Sequence, residues 1–193
     1  MRLRLIPVIL LCFGLQSVAQ AEGISAMLSG DSARFFYSTQ MWGQQAGPVE
    51  LETGIMFNED DNYLLNIGMM LRNDNLDSPV ILSLGGRSYF ATVNDPDTTA
   101  DYKVVALALG VEVLLVPDNM GGLGFGFHYY YAPDILAGGD AEGLTEFGVK
   151  LDYQLTPQSN IFAGYHSISA DIADKSDAVD IEKGFVVGLS LRF

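Results

Sequence analysis

The chain has one cysteine and two histidines in 193 residues, and these scarcities remove whole classes of function. Cys12 lies in an apolar stretch near the N-terminus, so residues 22–193 carry no thiol. Disulfides, thiolate nucleophiles and cysteine metal sites are therefore excluded from that part of the chain. Basic residues are few: 10 Lys and Arg face 24 Asp and Glu, for a formal net charge of −14. That balance argues against nucleic acid as a partner. Long apolar runs are missing too. The best candidate, "VVALALGVEVLLV", is interrupted by Glu112 and falls short of the roughly 20 residues of a spanning helix.

What is present contrasts with that acidity. Apolar residues make up 49% of the chain, and the mean hydropathy is +0.22, whereas strong net charge usually accompanies low hydrophobicity. Part of the contrast is a leader. Arg2 and Arg4 form a charged n-region, Leu5–Leu15 an apolar h-region, and Ala19-Gln20-Ala21 a small-x-small cleavage signal. Cleavage after Ala21 is expected, giving a signal peptide (1–21) and one mature domain (22–193). An uncleaved anchor is disfavoured because Leu5–Leu15 is too short to cross a bilayer as helix. "ILLCFG" also lacks the small residues that precede a lipidated cysteine.

Beyond the leader the hydrophobic period is two. "VELETGIMF" sets Val49, Leu51, Thr53, Ile55 and Phe57 against Glu50 and Glu52. "YLLNIGMML", "KVVALALGVEV", "GLGFGFHYYY", "EFGVKLDYQL" and the terminal "GFVVGLSLRF" alternate in the same way. Stretches 33–41, 79–90 and 160–168 alternate in part, and 24–29 is a weak further candidate. Period-two patterning of this length specifies strands. Two all-β architectures compete: a soluble sandwich and a closed barrel with lipid outside. Several runs reach the roughly 9–11 residues of a tilted membrane strand, against a usual mode near 5–6. Their polar faces carry Gly, Ala, Glu, Lys, Asp and His, and aromatics gather near strand ends at Tyr63, Phe90, Tyr129, Tyr131 and Phe193. An antiparallel up-and-down transmembrane β-barrel is the preferred fold. Ten strands are expected, or eight if 24–29 and one weak run are plug or loop.

The connections sort into two sets. "WGQQAG", "NDNLDS", "VPDN" and "LTPQ" fall at one end, read as periplasmic. The SGD turn near Asp31, "NEDD", "NDPDTTAD", "APDILAGGDAE" and "SADIADKSDAVD" fall at the other, gathering most of the acidic side chains outside the cell. A barrel has no free edge, so the last strand must zip against the first. Phe193, a terminal aromatic, suits recognition by the machinery that inserts such barrels.

"FNEDDNYLLNIGMML", an acidic hairpin between two strands, and "GFHYYYAPDIL", with its Tyr-Tyr-Tyr-x-Pro-Asp turn, resemble the YfaZ family of bacterial outer-membrane proteins. The likeness extends over nearly the whole mature chain, and includes the signal peptide and Phe193. The resemblance implies an outer-membrane barrel of the Gram-negative envelope. It brings no established activity and no catalytic residues.

Candidate chemistry is sparse. His128 is expected in the lumen beside Tyr130. His166 has Ser167 adjacent, but neighbouring strand residues face opposite sides, so a Ser/His pair would need a partner from another strand. No catalytic residue and no cofactor are assigned. "DPDTTADYKVVA" starts like a calcium loop but lacks its sixth-position glycine and twelfth-position glutamate. Asp95, Asp97, Asp101, Asp171, Asp174 and Asp177 are kept as weak divalent candidates in otherwise solvated loops. The alternation directs charges of both signs inward: Arg34, Arg72, Arg87, Lys150 and Arg192 against Glu50, Glu52, Glu112, Glu146 and Asp152. Buried together, such groups must pair. Barrels of this size are usually too narrow for a porin channel. The expected function is therefore a small barrel with a mostly occluded polar lumen and a structural or surface-interaction role. Its expected partners are outer-membrane lipids, lipopolysaccharide and the barrel-assembly machinery. A narrow ion or solute channel is the alternative, and a lipid-modifying enzyme the third reading.

Overall fold

The computed structural model describes residues 22–42, 48–73, 78–94, 101–173, 175 and 177–193; the signal peptide at 1–21 lies outside them. The alternating stretches form β1 (Glu22–Leu28), β2 (Ser32–Trp42), β3 (Val49–Asn58), β4 (Tyr63–Asn73), β5 (Val80–Asn94) and β6 (Asp101–Leu115). After them come β7 (Leu123–Ala132), the short β8 (Ala137–Gly139), β9 (Ala141–Thr156), β10 (Ser159–Ile172) and β11 (Val179–Arg192). All pairings are antiparallel; apart from β8, which pairs with β6 alone, each strand has a neighbour on both sides. Because β1 pairs with both β2 and β11, the sheet closes into a ten-stranded barrel. The weak stretch at 24–29 is thus a full wall strand, and the eight-strand alternative falls. β8 is a supplement: β6 pairs with β7 from Leu109 to Leu115 and with β8 from Val104 to Ala106.

The seam is held to the last residue. Phe193 N donates to Glu22 O at 2.9 Å and Glu22 N to Phe193 O at 3.1 Å. Connections near this end are short; the one between β6 and β7 turns through Gly121 (φ 58°) and Gly122 (φ 90°), a left-handed pair that side chains disfavour. The two loop sets separate to the two ends of the barrel as the alternation requires. The end holding Glu22 and Phe193 is called the turn end here, and the other the loop end.

Along its axis the wall reverses its polarity. From the turn end up to about Phe57, Tyr63, Phe90, Tyr131 and Phe185 the outward side chains are mostly apolar and many are exposed, as at Leu109 and Val187. A contiguous band of this kind is stable against lipid and not against water. Above it, outward positions turn polar: Thr92, Lys103, Thr145, Ser167, Ser169, Asp171 and Lys183. There the inward positions become apolar instead. Met56, Leu64, Val93, Val104, Leu144, Ile168 and Ile181 pack into one buried cluster, with Tyr89 and Tyr130 at its edge.

This corrects two expectations. The lumen is polar only in its turn-end half. The barrel also rises higher than the sequence suggested: β10 runs to Ile172 and β11 starts at Val179, so both ends of "SADIADKSDAVD" are wall, with Ala170 and Ile172 inside and Asp171 outside. The "APDILAGGDAE" stretch likewise contributes a 3-10 turn at Asp134–Leu136 and β8. Strands leaving the bilayer keep alternating, but the solvent on their outer face changes from hydrocarbon to water, so the apolar residues move inside.

Candidate functional site

Directly below the apolar layer, inward residues of neighbouring strands meet in a charged cluster. Glu146 on β9 is its centre, with a side chain 1% exposed. Its Oε1 accepts from Arg34 Nη1 at 3.0 Å and lies 2.9 Å from His166 Nε2. Its Oε2 accepts from Arg87 Nη1 at 3.0 Å and from the Tyr89 hydroxyl. Arg34, on β2, also donates to Asn66 Oδ1 at 3.1 Å and lies 4.5 Å from the centre of the Phe36 ring. Arg87, on β5, extends the cluster towards β3 and β6: its Nη2 is 2.8 Å from Glu52 Oε1 and 3.2 Å from Glu112 Oε1. The guanidinium stacks 4.2 Å from the Tyr130 ring centre, and the Tyr130 hydroxyl donates to Glu112 at 2.6 Å.

A second carboxylate backs His166. A bulge between β10 and β11 pairs Ile168 with Glu182 but Ser169 with Asp180, so Ile181 and Glu182 both turn inward. Glu182 Oε2 is 3.1 Å from His166 Nδ1, and Ser32 Oγ donates to Glu182 Oε1 at 2.6 Å. Burial on this scale is tolerated only because each charge faces an opposite one; removing one partner is costly.

Below the cluster lies a cavity of about 240 Å³ lined by Glu52, Arg87, Glu112, His128, Glu146 and Lys150, among others. It shares Glu50, Arg72 and Arg192 with a second recess at the turn-end mouth, which Glu22 and Pro48 also line. The interior is therefore reached from the turn end, while the apolar layer lies across the loop-end half.

All ten charges assigned to the lumen face inward or line this cavity, with different surroundings. Arg34, Arg87, Glu52, Glu112 and His128 belong to the central cluster. Arg72 Nη1 and Glu50 Oε2 pair more loosely at 3.6 Å near the mouth. Lys150 Nζ lies 5.1 Å from the Phe162 ring centre, Asp152 accepts from Asn160 at 2.7 Å, and Arg192 is exposed at the rim. Tyr89, Asn66, Ser32 and Glu182 were not singled out from sequence. The strict alternation read backwards from Phe193 does put Glu182 inside, so that signal was present.

Ser167 points away from the lumen, beside the outward Lys183 and Phe147. Among the described residues no serine hydroxyl bonds to either histidine; Ser32 bonds to Glu182 and Ser29. Of the acidic-loop candidates, Asp95, Asp97 and Asp174 lie outside the described residues, and Asp101, Asp171 and Asp177 are exposed. Among the described residues, the set of three metal-capable side chains that converges is instead His128, Glu146 and His166, whose ligand atoms lie within 4.8 Å of one another.

Comparison with known proteins gives one family match. A family model described as "YfaZ precursor" matches residues 9–193. No curated protein matches significantly. Among solved structures, the chain is similar to the outer membrane channel DcaP of Acinetobacter baumannii, at 10% identity and TM-score 0.43, over 88% of this chain and 54% of that one. It thus spans little more than half of DcaP. It is similar to the NanC porin at 11% identity and TM-score 0.42, over 91% of this chain and 100% of that one. Neisserial surface protein A matches at 16% identity and TM-score 0.36, over 90% and 95% of the two chains. None of the three reaches a TM-score of 0.5.

Proposed function

Since the chain belongs to the YfaZ family, we propose that it is a small barrel of the bacterial outer membrane, closed to hydrated solutes, that acts at the cell surface through its acidic loops. The observation that carries this reading is the apolar layer across the loop-end half of the lumen, where Val93, Val104, Leu144 and Ile168 are fully buried. A hydrated ion entering it would shed its water among side chains that offer no polar replacement. The loop end faces the exterior and the turn end the periplasm. Glu59, Asp60, Asp61, Asp101, Asp134 and Asp140 then lie on the outer side, where cation-bridged lipopolysaccharide phosphates are the natural partner. Residues 1–21 direct export, the assembly machinery engages the β11 end at Phe193, and the barrel performs no catalysis.

A narrow channel is the second reading, favoured by the cavity that opens at the turn end. Single-channel recording in planar bilayers separates the two, with heat-modifiable gel migration as the check on insertion. The closed reading expects a heat-modifiable species without current steps. Discrete steps that change on neutralising Glu112 or Arg87 would make the protein a channel.

A further inference from the structure

We propose that His128, Glu146 and His166 bind a divalent transition-metal ion at the head of the turn-end cavity. The three come from strands that are neighbours in the barrel, β7, β9 and β10. His128 and His166 both pair with Gly148, on either side of it, and Glu146 lies two residues along the same face of β9. Gly148 makes the convergence possible: a Cβ there would stand 2.6 Å from His128 Nε2 and closer still to Cε1. The missing side chain lets the imidazole of His128 lean across β9 towards His166, with ring centres 5.4 Å apart.

The ligand atoms have metal-site spacing. Glu146 Oε1 is 2.9 Å from His166 Nε2 and 3.6 Å from His128 Nε2. Ligands held tetrahedrally at about 2.0–2.2 Å stand roughly 3.3 Å apart. The second shell is also in place. Glu182 takes the Nδ1 side of His166, which directs its Nε2 lone pair into the site, as carboxylates do behind metal-bound histidines. Arg87 and Tyr89 hold Glu146 Oε2, leaving Oε1 for the ion.

The arrangement is suited to a cation. His128 Nε2 is buried without a hydrogen-bond partner, and it lies with Glu146 and His166 in a set whose ligand atoms are all within 4.8 Å of one another. A shared cation would give His128 Nε2 the partner it lacks. Charge points the same way: Glu52, Glu112, Glu146 and Glu182 face two guanidinium groups, Arg34 and Arg87, while Lys150 lies further down the cavity. Counting Lys150, one negative charge remains in excess, which a cation would offset. Arg34 is the internal competitor, because its Nη1 contacts both Glu146 Oε1 (3.0 Å) and His166 Nε2 (3.3 Å). The ion must displace that contact. A two-imidazole, one-carboxylate set selects ions such as Zn²⁺, Co²⁺ or Fe²⁺ over Ca²⁺ and Mg²⁺, and the cavity leaves a coordination position for water.

The test uses Co²⁺ as a visible probe on protein extracted in detergent and stripped with chelator. One equivalent is expected, with the intense visible bands of a low-coordinate cobalt site and displacement by Zn²⁺. His128→Ala removes a side chain with no hydrogen bond, so it keeps the heat-modifiable fold and lowers affinity at least tenfold. Glu182→Gln weakens binding, and Arg34→Gln strengthens it. Absence of Co²⁺ binding would overturn the proposal. Binding that survives His128→Ala, or that Ca²⁺ displaces as readily as Zn²⁺, would also overturn it by moving the ion to the acidic loops.

Discussion

Glu146→Gln is the substitution that most directly tests the reading of the lumen as a network of paired charge. The change keeps the side chain's size, so no cavity forms and only charge and acceptor capacity are lost. Glu146 takes hydrogen bonds from Arg34, Arg87 and Tyr89 and adjoins His166, at a site almost closed to solvent. Its neutralisation leaves Arg34 without its ion-pair partner and deprives Arg87 of one of three. Breaking a buried pair from one side costs about 3–5 kcal/mol. Glu50→Gln is the control, because Glu50 meets Arg72 at 3.6 Å with 34% of its side chain exposed. Pairs of that kind are worth about 0.2–1 kcal/mol. Urea unfolding in lipid vesicles, followed through Trp42, the only tryptophan, gives both values by linear extrapolation. Adding Arg34→Met to Glu146→Gln should restore part of the loss, because it removes the stranded charge. A loss below about 1 kcal/mol for Glu146→Gln, or equal losses for both substitutions, would refute the idea that buried pairing organises the lumen.

The lipid boundary can be mapped with arginine. Leu107→Arg, in the exposed apolar belt, should cost about 2–4 kcal/mol, and Thr92→Arg, above the aromatic level, about 0–1; equal costs by the same urea assay would move the boundary. Orientation follows from labelling, since the chain after residue 21 has no native cysteine. An impermeant maleimide on intact cells should label Ile135→Cys, whose site is 87% exposed at the loop end, and spare Met120→Cys until the outer membrane is opened. The converse pattern inverts the barrel. Combined Leu144→Ala and Ile168→Ala should lower stability by about 2–5 kcal/mol for each truncation and introduce ion current into planar bilayers. Persistent silence would mean that the seal lies elsewhere. Gly148→Val should turn the His128 ring out of its place across β9, which mass spectrometry detects as faster modification of His128 by diethylpyrocarbonate.

The wall was legible in the sequence because a period of two is a local property. Glu50 and Glu52 against Leu51 and Thr53, or His128 against Phe127 and Tyr129, fix a face without reference to any other strand. The weak stretch at 24–29 was harder, since its alternation is short. Its place came from pairing on both sides, with β2 and β11, and not from its own pattern. The upper wall was missed for a related reason. In Ser169–Ile172 and Val179–Ile181 the apolar residues point inward and the acidic ones outward, the reverse of the membrane belt, so the same periodicity read as loop.

The site divides in the same way. Sequence alone determined that charges of both signs enter one lumen, and that the chain after residue 21 has no thiol chemistry. It also determined which residues share each inward face, because alternation within a strand depends only on the strand. Only the tertiary structure decided the partners: Glu146 with Arg34 and Arg87, Glu182 with His166 through a bulge, His128 across Gly148. Those contacts join residues up to 112 positions apart, as Arg34 and Glu146 are. They depend on strand stagger and barrel closure, which set the height of each side chain along the axis, and no local pattern encodes that height.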